Sequence, residues 1–147
     1  MGRALALAER AAAAGEVPVG CVVTRGGVVV GQGFNRRETE RRALAHAELL
    51  AIDEACRALH GWRLHGCDLY VTLEPCPMCA GAILNARLAR VFFGAADPTA
   101  GAMGSRFDLF ALGFNHRPEA QGGLLADRSA ALLSAFFAAR RKRGGSP

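Results

Sequence analysis

Two cysteines lie three positions apart in the stretch TLEPCPMCAG, residues 72–81, and the other three cysteines of the chain stand singly. A Cys-x-x-Cys pair serves as a redox dithiol, as half of a structural zinc site, or as part of a catalytic zinc site. A structural site needs four protein ligands, and no second close pair of Cys or His accompanies Cys76 and Cys79. A redox role would leave the rest of the chain unexplained. Both remain alternatives, but the pair favours a catalytic site, which needs one more ligand and an open position for water.

The stretch AHAE places a histidine and a carboxylate, His46 and Glu48, at the start of a predicted helix. A single histidine at a helix start is more often a cap or a core residue than a ligand. A carboxylate on the buried side of an apolar helix is harder to dismiss, because burying an unpaired charge is costly. Glu48 therefore indicates a function.

Hydrophobic periodicity and turn residues predict the elements that must position these side chains. A helix over 46–60 carries an apolar stripe of Leu49, Ile52, Cys56 and Leu59. The other predicted elements are a helix over 3–14, a hairpin of two strands around residues 25–27, strands over 67–74, 89–95 and about 118–122, and helices over 77–87 and 124–143.

The order of these elements predicts the fold class. From residue 46 onward helices and strands alternate, which implies parallel strands joined by right-handed crossovers, whereas the hairpin pair is antiparallel. We expect a single α/β domain over 1–147, a three-layer α/β/α sandwich with a mixed five-stranded sheet. The loop over 95–116 exceeds the usual limit of about 12–15 residues, so we expect it to be functional.

Composition narrows the classes of function. The apolar runs are too short to cross a membrane, and the Ala- and Leu-rich start of the chain fits a helix better than a signal peptide. The odd number of cysteines, five, argues against a disulfide framework and for a reducing compartment, the cytoplasm. The net charge of +5 is concentrated in NRRETERR and ARRKRGG, which suits a polyanion such as nucleic acid. A solvated surface or a biased genome would also account for it.

Two predicted helices begin near His46 and Cys76, so their positive N-terminal ends would point to one place and lower thiol pKa values there. Pro77 suits the first helical position. Zinc held by three protein ligands lowers the pKa of a water molecule to about 7, and Glu48 could then carry protons from water to substrate and leaving group. That chemistry is metal-assisted hydrolysis, and the family resemblance described next implies that the reaction is a deamination.

Two motifs, HAE (46–48) and PCPMC (75–79), resemble the signature of the zinc-dependent nucleobase deaminases. Further stretches resemble the bacterial tRNA adenosine deaminases within that family, which make inosine at the wobble position of the anticodon. These stretches are EVPVGCVV (16–23), GQGFNR (31–36), YVTLEPCPMCAGAIL (70–84), RVFFGAADPTAGAMGS (90–105), FNHRPE (114–119) and GLLADRSAALLSAFFAARR (123–141).

The resemblance implies a set of site residues and partners. It implies that one Zn²⁺ per chain is bound by His46, Cys76 and Cys79, and that Glu48 delivers protons to N1 of adenine and to the departing ammonia. It implies a homodimer acting on a tRNA anticodon stem-loop, whose extruded bases need stacking and phosphate contacts. The implied substrate-binding residues are Asn35, Val17, Pro18 and Val19 around the nucleoside, and Asp97, Phe137 and Arg140 along the flanking nucleotides.

Two other functions stay open. A deaminase of a free base or nucleotide, of the guanine or cytosine type, shares the metal signature but has no use for a basic, aromatic last helix. A non-catalytic subunit that binds RNA or is stabilised by zinc could lose Glu48 without penalty, so the presence of Glu48 argues against it.

Overall fold

The structure, a computed structural model, describes residues 1–144, so the last three positions of the predicted domain lie outside the described residues. The elements are, in chain order, α1 (Gly2–Ala13), β1 (Gly20–Arg25), β2 (Val28–Phe34), α2 (Ala47–Ala58), β3 (Cys67–Leu73), α3 (Pro77–Asn85), β4 (Arg90–Ala95), a 3₁₀ helix (Leu109–Leu112), β5 (Glu119–Gln121) and α4 (Ala126–Lys142). Each predicted helix and strand is present, with ends that differ by only a few residues.

The sheet has five strands in the order β2-β1-β3-β4-β5. β1 pairs antiparallel with β2 and with β3, whereas β3, β4 and β5 run parallel. Helices α1 and α4 contact each other on one face of the sheet, and α2 and α3 contact each other on the opposite face. The predicted three-layer α/β/α sandwich with a mixed sheet is confirmed.

The buried face of α2 differs from the predicted stripe. Of that stripe Ile52 is buried as predicted, whereas Leu49, Cys56 and Leu59 are only partly buried. The rest of the buried face consists of Glu48 and the alanines Ala47, Ala51 and Ala55. Two glycines of β2 explain this: a side chain at Gly31 would overlap backbone atoms of α2, as would one at Gly33. Small residues on both sides therefore let the helix backbone approach the strand closely, and the helix rotates to present them.

The segment after β4 is largely irregular, as predicted, but it contains the 3₁₀ helix, whose Phe110 is buried. Its backbone is tied to the end of β3, because the N–H of Ala102 donates to the carbonyl oxygen of Pro75 at 2.9 Å. The long loop is thus held beside the start of α3. None of the helices within residues 1–144 is long and apolar enough to cross a membrane.

Candidate active site

The candidate site lies where α2 and α3 begin, at the carboxyl end of β3. His46 is the N-cap of α2 and Cys76 is the N-cap of α3, with Pro77 at the first helical position as predicted. Cys79 lies in the first turn of α3 and is fully buried. Both helices therefore direct their positive ends toward one group of side chains, as the sequence predicted.

Three side chains at this point, His46, Cys76 and Cys79, have their ligand atoms within 4.8 Å of one another. The Nδ1 atom of His46 lies 3.7 Å from Sγ of Cys76 and 3.5 Å from Sγ of Cys79. Zn–N bonds of about 2.0–2.1 Å and Zn–S bonds of about 2.3 Å at a tetrahedral angle separate nitrogen from sulfur by about 3.6 Å. The spacing and the donor set therefore fit a zinc ion with three protein ligands.

The two thiols differ sharply in acidity. The pKa of Cys76 is lowered to about 4 because the Cys79 thiol donates a hydrogen bond to it, with a further contribution from His46. The same contact, together with burial, raises the pKa of Cys79 well above its ordinary value. The hydrogen bond with Cys76 likewise raises the pKa of His46. Without metal, Cys76 and Cys79 therefore share one proton, which metal binding would release.

Glu48 lies on the buried face of α2 and is only 4% exposed. Its burial raises the pKa of the carboxyl above the ordinary value, although a backbone hydrogen bond and the nearby His46 act in the opposite direction. The residue lines the same cavity as His46 and Cys76. A carboxylate with no place among the three ligand residues thus faces the space beside them.

A cavity of about 180 Å³ opens next to the ligand cluster. Val17 and Val19 form part of its wall, whereas Pro18 is buried and does not line it. Pockets that enclose drug-sized molecules measure about 300–1,000 Å³, so this cavity suits a single base rather than a longer ligand. The cavity is lined by Val17, Val19, Asn35, Arg37, His46, Ala47, Glu48, Leu73, Glu74, Cys76, Asp97 and Ala100.

Asn35, expected to hold the nucleoside, lies at the cavity with its amide already engaged by the backbone. Its Nδ2 donates to the carbonyl oxygen of Val17 at 3.3 Å, and its Oδ1 accepts from the N–H of Arg37 at 3.1 Å. One Nδ2 hydrogen remains for a ligand. Asn35 therefore both shapes the wall and offers a donor.

Two buried carboxylates that sequence reasoning missed hold the rim of the cavity. Glu16 accepts hydrogen bonds from the backbone N–H groups of Glu38 and Thr39, at 2.8 to 3.3 Å. The second, Glu74, accepts from the long loop after β4. Its partners are the N–H of Asp97 at 3.3 Å, of Met103 at 3.0 Å and of Ser105 at 3.2 Å, and the Ser105 hydroxyl.

Asp97, predicted to contact a flanking nucleotide, lies at this rim. Its carboxylate accepts hydrogen bonds from the N–H groups of Thr99 at 3.0 Å and Ala100 at 3.3 Å.

Burial alone would raise the pKa of Glu74, but its hydrogen bonds outweigh that effect and the pKa lies below its ordinary value. The long loop is thus anchored as a wall of the cavity.

Two further predicted residues, Phe137 and Arg140, do not line this cavity. They lie on α4, where Phe137 packs edge-to-face against Phe136 with ring centroids 5.4 Å apart. Arg140 lies with Phe136 along a groove between α1 and α4. The structure therefore places these two residues outside the cavity beside His46, Cys76 and Cys79.

The family follows from comparison with known proteins. Residues 1–95 match the model of the cytidine and deoxycytidylate deaminase zinc-binding region. This segment holds both halves of the site described above, and the chain belongs to this family of deaminases.

The similarity extends over nearly the whole chain. The tRNA-specific adenosine deaminase of Bacillus subtilis (strain 168) is 49% identical over 97% of this chain and 89% of its own length. A solved structure from studies of A-to-I editing by tRNA:A34 deaminases is 43% identical and has a TM-score of 0.84, covering 88% of this chain and 95% of that one. Guanine deaminase from Bacillus subtilis is more distant, at 36% identity over 95% of this chain and 90% of that one, with a TM-score of 0.64.

Proposed function

We propose that the protein hydrolytically deaminates adenosine to inosine at the wobble position of a tRNA anticodon. The observation that carries this proposal is the buried carboxylate of Glu48 facing a base-sized cavity beside three potential zinc ligands. The similarity to relatives named for this reaction supports the choice of substrate.

The same proposal assigns one Zn²⁺ to His46, Cys76 and Cys79, whose donor types and spacing suit that ion. Zinc bound by three protein ligands lowers the pKa of a water molecule to about 7 and so supplies a nucleophile at neutral pH. The buried position of Cys79 and the helical N-termini at His46 and Cys76 hold the ligand side chains in place.

The proposal assigns the proton transfers to Glu48. Glu48 takes one proton from the attacking water and delivers it to N1 of adenine while C6 is attacked. It then takes the second proton from the new hydroxyl at C6 and passes it to the amino nitrogen, so that ammonia departs and the C6 carbonyl of inosine forms. General acid–base catalysis of this kind is worth about 10²- to 10⁴-fold in rate. Because Glu48 is 4% exposed, bulk water has little access to the proton that it carries.

The remaining cavity residues orient the base. The free Nδ2 hydrogen of Asn35 can donate to the nucleoside, and Val17 and Val19 form an apolar wall against the ring. Pro18, buried between these valines, fixes the backbone of that wall rather than touching the base. Asp97 stands at the rim, where the nucleotides beside the extruded one would pass.

Binding of the anticodon stem-loop is the second part of the proposal. Arg140 and Phe137 on α4 would contact RNA beyond the target base, through phosphate pairing and stacking. We also propose that the protein works as a homodimer in the cytoplasm, where its tRNA substrate is found. Sedimentation velocity of the zinc-loaded protein should give a particle of two chains.

The central test incubates zinc-loaded protein with a stem-loop RNA carrying adenosine at the wobble position and measures inosine by mass spectrometry. We expect inosine at that position only. The matched variant Glu48→Gln, which keeps the side-chain volume, should retain about one zinc per chain while activity falls about 10²- to 10⁴-fold. Unchanged RNA with the wild type would refute the proposed function and favour a non-catalytic subunit. Near-normal activity of the variant would refute the role of Glu48.

A deaminase of free bases is the second candidate, favoured by the similarity to guanine deaminase. The double variant Arg140→Ala, Arg141→Ala separates the two functions. Removing the half-buried cation of Arg140 and the exposed cation of Arg141 from α4 should weaken RNA binding but leave turnover of a free base unaffected. Conversion of guanine at a rate unaffected by these substitutions, with no reaction on the stem-loop, would establish the second candidate.

A further inference from the structure

The loop after β2 carries four arginines. Arg41 does not line the cavity, and the side chains of the other three are placed very differently. The guanidinium of Arg36 lies 5.0 Å from the ring centroid of Phe34 and 3.4 Å from the carboxylate of Glu40. Arg42 pairs with the same carboxylate at 2.9 Å. Arg37 is exposed and lines the cavity, and within residues 1–144 no hydrogen bond or ion pair engages its guanidinium. Only Arg37 therefore offers a cation at the mouth of the cavity without a competing carboxylate.

The backbone of Arg37 is fixed on both sides. Its own N–H donates to Oδ1 of Asn35 at 3.1 Å, and its carbonyl oxygen accepts from the N–H of Arg42 at 3.1 Å. The next two residues along the chain donate to the carboxylate of Glu16, which is 1% exposed. A charged side chain that starts from an anchored backbone loses less conformational freedom when it binds a ligand.

The size of the cavity determines which part of a nucleotide reaches Arg37. A space of about 180 Å³ accepts an extruded base and leaves the sugar and its phosphates at the mouth. Of the charged side chains on this rim, Asp97 is anionic and already accepts two backbone N–H groups. A phosphate at the mouth would be repelled by Asp97 and attracted by the guanidinium, which can bind it in a bidentate manner.

We propose that Arg37 binds a backbone phosphate adjacent to the nucleotide whose base enters the cavity. This inference rests on the proposed function, because it takes the substrate to be a polynucleotide. It assigns Arg37 to substrate binding and Glu16 to positioning the loop that carries it.

The test measures binding of the stem-loop RNA by fluorescence anisotropy in a Glu48→Gln background, over a series of salt concentrations. Arg37→Ala should weaken binding about tenfold and reduce the slope of log K against log salt by about 0.7 to 0.9, the value for one phosphate contact. Arg37→Lys should restore the slope. The control Arg25→Ala removes the same charge from the far end of β1 and should change neither quantity.

The phosphate itself is identified by replacing single phosphodiesters beside the target nucleotide with neutral methylphosphonates. One replacement should weaken binding to the protein with Arg37 intact and have no further effect on Arg37→Ala. Equal sensitivity of both proteins at every tested position, or a normal salt slope for Arg37→Ala, would overturn the inference.

A competition binding experiment distinguishes a phosphate of a polynucleotide backbone from the phosphate of a free nucleotide. Adenosine monophosphate, which has one phosphate but no flanking nucleotides, should compete far more weakly than unlabelled stem-loop. Competition by the monophosphate as strong as that by the stem-loop, lost in Arg37→Ala, would overturn the assignment to a backbone phosphate. Failure of wild-type protein to form inosine would instead count against the proposed function.

Discussion

Replacing Glu74 by glutamine tests how the long loop is attached to the sheet. This carboxylate is 2% exposed and directly precedes Pro75 and Cys76. It accepts hydrogen bonds from three backbone N–H groups and from the Ser105 hydroxyl. Glutamine has nearly the same volume, but it is neutral and presents only one oxygen. All changes therefore fall on the hydrogen bonds rather than on packing.

The cost follows from the geometry of the two oxygens. In the better orientation the amide oxygen still accepts from the N–H groups of Met103 and Ser105, and the amide nitrogen donates to the Ser105 hydroxyl. The N–H of Asp97 then loses its acceptor. Hydrogen bonds to a charged group are worth about 1.5–3 kcal/mol and neutral ones about 0.5–1.5 kcal/mol. Replacing four charge-assisted bonds by three neutral ones should therefore cost at least about 4 kcal/mol.

Urea unfolding at pH 7, with the same zinc concentration in every sample, measures this loss in the free energy of unfolding. The control Glu54→Gln makes the same chemical change on an exposed carboxylate of α2 and should stay within about 0.5 kcal/mol of the wild type. If Glu74→Gln is no less stable than this control, the hydrogen bonds of Glu74 contribute nothing measurable and our account of the loop is wrong.

Two further predictions concern packing and metal binding. Gly31→Ala should lower the free energy of unfolding by at least about 1–3 kcal/mol, because the added methyl group would lie 2.9 Å from Cβ of Ala55. The control Gly81→Ala, in the open middle of α3, should raise the free energy of unfolding by about 0.5–1 kcal/mol. Equal effects of the two substitutions in urea unfolding would contradict the close approach of α2 and β2. Iodoacetamide at pH 7 should modify Cys76 rapidly after zinc is removed and slowly when zinc is bound. Cys21 is buried, and its burial raises the pKa of the thiol, so it should stay unmodified in both states. If peptide mass spectrometry finds Cys76 equally reactive in both states, Cys76 is excluded as a zinc ligand.

The elements and the ligand cluster could be predicted because their signals are local. Hydrophobic periodicity, glycines and Pro77 predicted the bounds of the helices and strands to within a few residues. The two short motifs identified His46, Cys76 and Cys79 together with Glu48. The face of α2 could not be predicted in this way. Its orientation is set by Gly31 and Gly33 of another strand, which matter only once the backbones meet.

The rim of the cavity escaped prediction for a related reason. Glu16 and Glu74 act on backbone N–H groups 22 to 31 residues further along the chain, and a backbone N–H leaves no trace in the sequence. Arg37 was visible only as one member of an arginine-rich run. Its place at the cavity depends on these distant hydrogen bonds, so charge patterning could not distinguish it from Arg36.

The rim is anchored almost entirely through main-chain donors, and this has a consequence for how substrate preference can change. Every residue except proline carries a backbone N–H group. The side chains of both rim segments can therefore be exchanged while Glu16 and Glu74 keep the hydrogen bonds that they accept from the backbone. Variation at Arg37 and Ala100 would therefore reshape the entrance without disturbing the three proposed metal ligands. A library randomised at these two positions, with both anchoring carboxylates retained, is the natural starting point for deaminases with altered choice of nucleic acid.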